Sequence, residues 1–154
     1  MTILQENGPT LMKPKDAFYK AGTRIHLALF NASKGRIFGK ASGMPFIELL
    51  TTGRRSGKER STILTAPIVE GGRLVLVASF GGDDRHPAWY LNLQANPEVQ
   101  VTMAGTTHTM IARTATEEER LELWPRITSA YGGYARYQEQ TERQIPVVIL
   151  EPPK

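Results

Sequence analysis

Glu70-Gly71-Gly72-Arg73 is the stretch that most restricts the fold. It separates a mixed run, Thr62–Val69, from a continuous apolar run, Leu74-Val75-Leu76-Val77-Ala78. Two adjacent glycines accept the positive φ angles of a two-residue turn, so the flanking runs are expected to pair as antiparallel strands. Leu74–Ala78 has no polar face and is short, which predicts a strand buried on both sides. Pro67 has no backbone N–H, so the Thr62–Val69 strand should bulge or lie at an edge there. Other segments keep the same short-turn rhythm. Phe46–Leu50 precedes a tight basic turn, Val99–Met103 passes through Ala104-Gly105 into Thr106–Arg113, and Pro146–Leu150 is a last strand before Pro152-Pro153.

Helices are expected at the N-terminus and between strands. Lys15–Phe30 places Phe18, Ile25, Ala28 and Leu29 on one face. Pro87 suits a helix start, with Trp89 and Leu93 on one side and Asn96-Pro97 as the stop. Thr116-Glu117-Glu118-Glu119 reads as a capping box, followed by Leu121, Trp124, Ile127 and Thr128 as the buried face. Pro125 should kink that helix or mark a break. Tyr134–Arg143 reads as one more short helix. About six mostly antiparallel strands with peripheral helices make an α+β chain built on a small closed or split β-barrel. The regular βαβ alternation of a doubly wound sheet is missing. Residues 1–43 read as a leader and amphipathic helix, and 44–154 as the barrel of a single domain.

The chain has 154 residues and no cysteine, which removes disulfides, thiolate metal sites and cysteine nucleophiles. No apolar run approaches the roughly 20 residues of a membrane span, and Met1–Pro14 lacks a signal-type apolar region. A cytoplasmic protein is the expectation. The Lys15–Phe30 helix carries Lys15, Lys20 and Arg24, a pattern that also suits peripheral contact with an anionic membrane.

The net charge of +4 is concentrated in the turn Thr52–Ser61, where Arg54, Arg55, Lys58 and Arg60 face only Glu59 as an offset. Two like charges about 6 Å apart in water repel by roughly 0.7 kcal/mol, so the cluster opposes folding slightly. A ligand bearing phosphate or carboxylate groups would account for it; a solvated turn is the plainer alternative. No aromatic side chain interleaves with these cations, so a nucleic-acid partner is not expected. Asp83, Asp84 and His86 come from one short loop, which is a poor basis for a metal site, and none is expected. Tyr131, Tyr134 and Tyr137 surround Gly132-Gly133. They are ordinary packing, or they wall a pocket for a flat, oxygen-bearing substrate.

Leu49–Gly57, Ala78-Ser79-Phe80-Gly81-Gly82, Pro87–Pro97, Tyr131–Gln138 and Arg143-Gln144-Ile145-Pro146-Val147, in that order, resemble the deazaflavin (F420)-dependent nitroreductases, a family of F420H2-dependent quinone reductases. The resemblance runs from about Pro45 to Pro152. It implies a split β-barrel of the flavin-reductase type that binds coenzyme F420, with FMN as the alternative cofactor. It implies hydride transfer from reduced deazaflavin to a small acceptor: a quinone, a nitro compound or an activated alkene. The rival is a non-catalytic deazaflavin- or flavin-binding module. By the same resemblance Arg54, Arg55, Lys58 and Arg60 hold the phosphate and polyglutamate tail. Ala78, Ser79, Phe80, Gly81 and Gly82 run along the ring, and Pro87, Trp89 and Tyr90 close the groove. Ser79, Tyr131, Tyr134 and Tyr137 form the acceptor side, with Tyr134 and Ser79 as the catalytic candidates. Two positions depart from the family pattern: Phe80 replaces a lysine, and Glu59 replaces a proline.

Overall fold

Strand-forming residues and two-residue turns set most of the architecture. A computed structural model describes residues 40–41 and 43–154; the expected helix over Lys15–Phe30 lies outside them. The strands are β1 (Lys40–Ala41), β2 (Met44–Thr52), β3 (Glu59–Thr65), β4 (Ile68–Glu70), β5 (Arg73–Val77), β6 (Glu98–Met103), β7 (Thr106–Thr114) and β8 (Val147–Glu151). The helices are α1 (Ala88–Ala95), α2 (Glu117–Ala130) and α3 (Gly133–Glu139), with a 3-10 turn at Phe80–Gly82. All described strand pairs are antiparallel, in the order β1-β2-β6-β7-β8-β5-β4, with β3 on β2.

The expected Thr62–Val69 strand is in fact two, because Pro67 offers no N–H to a ladder. β3 starts earlier, at Glu59, and ends at Thr65; Ala66 then bonds back to the Pro45 carbonyl at 3.0 Å. Among the described residues β3 and β4 do not pair with each other, so the barrel stays split. Gly71 and Gly72 have φ of 58° and 75°, and Glu70 pairs with Arg73, the expected two-residue turn.

β5 divides the core. Leu74 and Leu76 point into the barrel with Ile47, Leu49, Val101 and Leu150, while Val75 and Val77 face outward with Val147 and Ile149. Leu123 and Ile127 of α2 and Tyr134 of α3 cover that outer face. Burying each such aliphatic side chain contributes about 1.5–3 kcal/mol, which explains why a strand with two apolar faces sits mid-sheet. The buried stripe of α2 is rotated from the expected one: Leu123 is buried and Leu121 is 76% exposed. The helix also runs on through Pro125.

The capping box is present. Thr116 Oγ1 accepts from Glu119 N–H at 3.2 Å, and Glu119 Oε1 accepts from Thr116 N–H at 3.0 Å. Arg113 of β7 pairs with Glu119 and with Glu151, locking the helix start to the sheet. The Arg113 guanidinium, with help from the Thr116 amide, lowers the Glu119 pKa from 4.5 to about 2. A depressed carboxylate adds stability that is present above its unfolded value and lost as pH falls through its folded one. Melts of Glu119→Gln should therefore lose part of the acid limb between about pH 4.5 and 2. Thr116→Ala should cost about 1 kcal/mol at neutral pH. An unchanged melt for both variants would remove the cap from the account.

Candidate active site

The basic turn is closed by short-range bonds. Gly53 N–H donates to Lys58 O at 2.7 Å, Gly57 N–H to Gly53 O at 2.9 Å, and Lys58 N–H to Ser56 Oγ at 3.2 Å. Gly57 takes φ 70°, but Gly53 does not take a left-handed angle. Gly53 matters by closeness instead, since a Cβ there would lie 2.7 Å from Ser56 Oγ. Arg54, Arg55, Lys58 and Arg60 are all exposed, and among the described residues none pairs with a carboxylate. Glu59 is exposed beside them.

Asn92 ties this turn to α1. Its Oδ1 accepts from Arg54 N–H at 3.1 Å, and its Nδ2 donates to Thr51 Oγ1 at 3.2 Å, with Asn92 and Thr51 both buried. Nothing near Asn92 in the sequence names these partners. A weak helix former inside an apolar helix was the available signal, because such a residue usually has a bond to make. Pro87 is buried at the N-cap of α1. Trp89 and Tyr90 lie in the barrel core, and Tyr90 Oη meets Thr114 Oγ1 at 2.8 Å and Gln94 Nε2 at 3.0 Å. These two rings anchor α1 from beneath.

The segment following β5 turns tightly. Gly82 N–H donates to Ser79 O at 2.9 Å and Asp83 N–H to Phe80 O at 3.1 Å. Phe80, Gly81 and Gly82 have φ of 46°, 63° and 85°, and a left-handed phenylalanine costs about 1–2 kcal/mol. The Arg85 guanidinium lies 5.5 Å from the Phe80 ring centroid, so a cation remains beside the position where the family pattern has lysine. Ser79 is largely buried, and among the described residues neither its amide nor its hydroxyl, which still reaches solvent, has a protein partner. An orphan backbone donor of this kind suits a ligand.

The tyrosines form one edge-to-face cluster. Ring centroids of Tyr131 and Tyr134 are 5.3 Å apart, those of Tyr131 and Tyr137 6.4 Å, and those of Tyr134 and Tyr137 6.3 Å. Tyr134 is buried, with Oη 2.9 Å from Thr65 Oγ1 and 3.9 Å from Met44 Sδ. Burial pushes its phenol pKa up, so it stays protonated. Gly133 makes room for the Tyr131 ring, which a Cβ would meet at 2.3 Å. Gly82 in turn lies against α3, where a Cβ would sit 3.0 Å from Tyr137 O.

The fold thus brings the helix that carries Tyr134 and Tyr137 against the Ala78–Gly82 turn, and the helix following that turn against the basic hairpin. Two further residues escaped the sequence reading: Thr65, the partner of Tyr134, and Gln138, which bonds Arg143 O at 2.8 Å and Ile145 N at 2.9 Å. Exposed cations for a polyanion, an orphan amide beside a glycine turn, and a clustered aromatic wall together fit a deazaflavin with an anionic tail.

Comparison with known proteins agrees. Residues 22–152 match the family model described as F420H(2)-dependent quinone reductase. A protein of Mycobacterium tuberculosis (strain ATCC 25618 / H37Rv), described as an F420H(2)-dependent quinone reductase, is 36% identical over 131 residues, covering 82% of this chain and 87% of its own. A solved F420-H2 dependent reductase, FDR-A, is 42% identical with TM-score 0.63, covering 70% of this chain and 94% of its own. A structure described as a domain-swapped dimer is 36% identical with TM-score 0.64, covering 84% of this chain and 100% of its own. The chain belongs to the F420H(2)-dependent quinone reductase family. It is accordingly an oxidoreductase with F420H2 as its hydride donor.

Proposed function

We propose that this protein reduces a quinone, with nitro compounds and activated alkenes as further acceptors, on a site running from the basic turn to the tyrosine cluster. The observation that carries the reading is the set of uncompensated cations on the hairpin that Asn92 joins to α1, the helix that follows the Ser79 turn. Arg54, Arg55, Lys58 and Arg60 hold the phosphate and tail carboxylates of F420. Ala78–Gly82 supports the ring, with the Ser79 amide and hydroxyl as donors; Pro87, Trp89 and Tyr90 are buried, so they brace α1 beneath the groove rather than close it. When bound, reduced F420 supplies a hydride, and the acceptor takes up a proton as well. FMN has a single phosphate and no anionic tail, so it makes less use of four cations.

Tyr131, Tyr134 and Tyr137 position the acceptor and exclude water. Tyr134 is the proposed proton-holding group. If Thr65 donates to Oη, the long contact to Met44 Sδ is the only restraint among the described residues on the Tyr134 hydroxyl proton, which can turn to an acceptor oxygen. Tyr134→Phe keeps the ring and removes that proton. Its kcat should fall by about 10²-fold, in the range of lost transition-state donors. Undiminished turnover with several quinones would leave Tyr134 a packing role alone.

The proposed location of the reaction is the cytoplasm. Among the described residues no helix is long and apolar enough to cross a membrane. Lys15–Phe30 is the proposed peripheral contact with the inner membrane face, where lipid quinones are met. Liposome flotation that is undiminished on deleting this segment would exclude it as the anchor.

A further inference from the structure

Arg143 lies between strands and helices, 60 or more residues from the turn that its guanidinium reaches. Nη2 donates to Ser79 O at 2.9 Å and to Ala78 O at 3.3 Å, and Nε donates to Asp83 O at 2.8 Å. Nη1 lies 3.3 Å from His86 Nδ1. One planar group therefore engages both ends of the strained Phe80–Gly82 turn. Its own backbone is held as well. Gln138 of α3 donates from Nε2 to Arg143 O and accepts Ile145 N–H at Oε1. Arg120, stacked 4.3 Å from the Trp124 ring centroid, donates to Gln138 Oε1 at 3.2 Å and to Ile145 O.

We propose that Arg143 is the positioning residue of the cofactor-binding turn, and that Gln138 links this turn to the tyrosine helix so that the two sides of the site keep one register. The cofactor role of the turn rests on the function proposed above. Engaging three carbonyls fixes the peptide planes of Ala78, Ser79 and Asp83, and hence the direction of the amides that follow them. Phe80 and Gly81 could otherwise relax from their left-handed angles. A lysine at 143 could reach one carbonyl as a point charge but could not span all three.

Arg143→Lys separates positioning from charge. Hydrogen exchange of the apo-protein should speed up by about tenfold or more at the bonded amides of Gly82 and Asp83, with barrel amides unchanged. The F420 dissociation constant should rise by about tenfold or more, while the KM for menadione stays within about twofold, because the acceptor wall is untouched. Unaltered exchange and unaltered F420 affinity in Arg143→Lys would overturn the proposal. If that variant does not fold, Gln138→Leu carries the test: faster exchange at the Gly82 and Asp83 amides supports the link, and wild-type exchange refutes it. The exchange arm needs no cofactor. Failure of the wild-type protein to bind F420 would sink the functional reading and still leave the role of Arg143 decided.

Discussion

Replacing Arg54, Arg55 and Lys58 together by alanine should weaken F420 binding by roughly 10²–10³-fold without loss of fold. A charge-assisted hydrogen bond contributes about 1.5–3 kcal/mol, and exposure of these side chains about halves that. Three of them then give roughly 2–4.5 kcal/mol, at about 1.4 kcal/mol per tenfold change. No carboxylate partner is lost, and relief of mutual repulsion should leave the melting temperature unchanged or slightly higher. Fluorescence titration at two salt concentrations is the measurement. Wild-type affinity should fall with salt and the variant's should barely respond. An affinity within about threefold of wild type would mean that the cluster is only a solvated turn.

Gly82→Ala is the second large effect. Its φ of 85° strains any side chain, and a Cβ would meet Gln140 Oε1 at 2.6 Å and Tyr137 O at 3.0 Å. Gln140 can swing aside, but the Tyr137 carbonyl belongs to α3 and moves only with it. Left-handed strain of about 1–2 kcal/mol and a backbone shift of about 1–3 kcal/mol should together lower stability by roughly 2–5 kcal/mol. The shift should also part the turn from the tyrosine helix and weaken F420 binding. Gly72→Ala is the control. It has φ 75° but its nearest contact is 3.8 Å away, at Pro152, so it should show strain alone and normal cofactor binding. Equal losses in the two variants would show that packing of Gly82 on α3 is unimportant.

The parts of the fold legible in the sequence are those whose causes are local. Gly71-Gly72 carries its own turn geometry, Thr116 and Glu119 satisfy each other within one helical turn, and Pro67 breaks its own ladder. The stripe of α2 was less legible. Leu121–Trp124–Ile127 and Leu123–Ile127 both fit helical spacing, and only the outer face of β5 and β8 decides that Leu123 turns inward. The same division holds in the site. The basic turn, the glycine turn and the tyrosines announce themselves by composition, and the family resemblance assigned their roles. Asn92 and Arg143 act across 38 and up to 65 residues, so nothing near them in the chain names their partners. Burial of Trp89 and Tyr90 in the barrel likewise follows from tertiary packing, which a four-residue spacing cannot place on a particular neighbour.

The most direct measurement is anaerobic mixing of the purified protein with F420H2 and menadione, following the return of oxidised F420 absorbance. A protein-dependent rate that saturates in F420H2 and requires menadione is the predicted result, with no comparable rate when reduced FMN replaces F420H2. Tight F420 binding with no menadione-dependent oxidation would contradict the account and leave a cofactor-holding module in its place. Turnover with FMN alone would keep the barrel and overturn the cofactor.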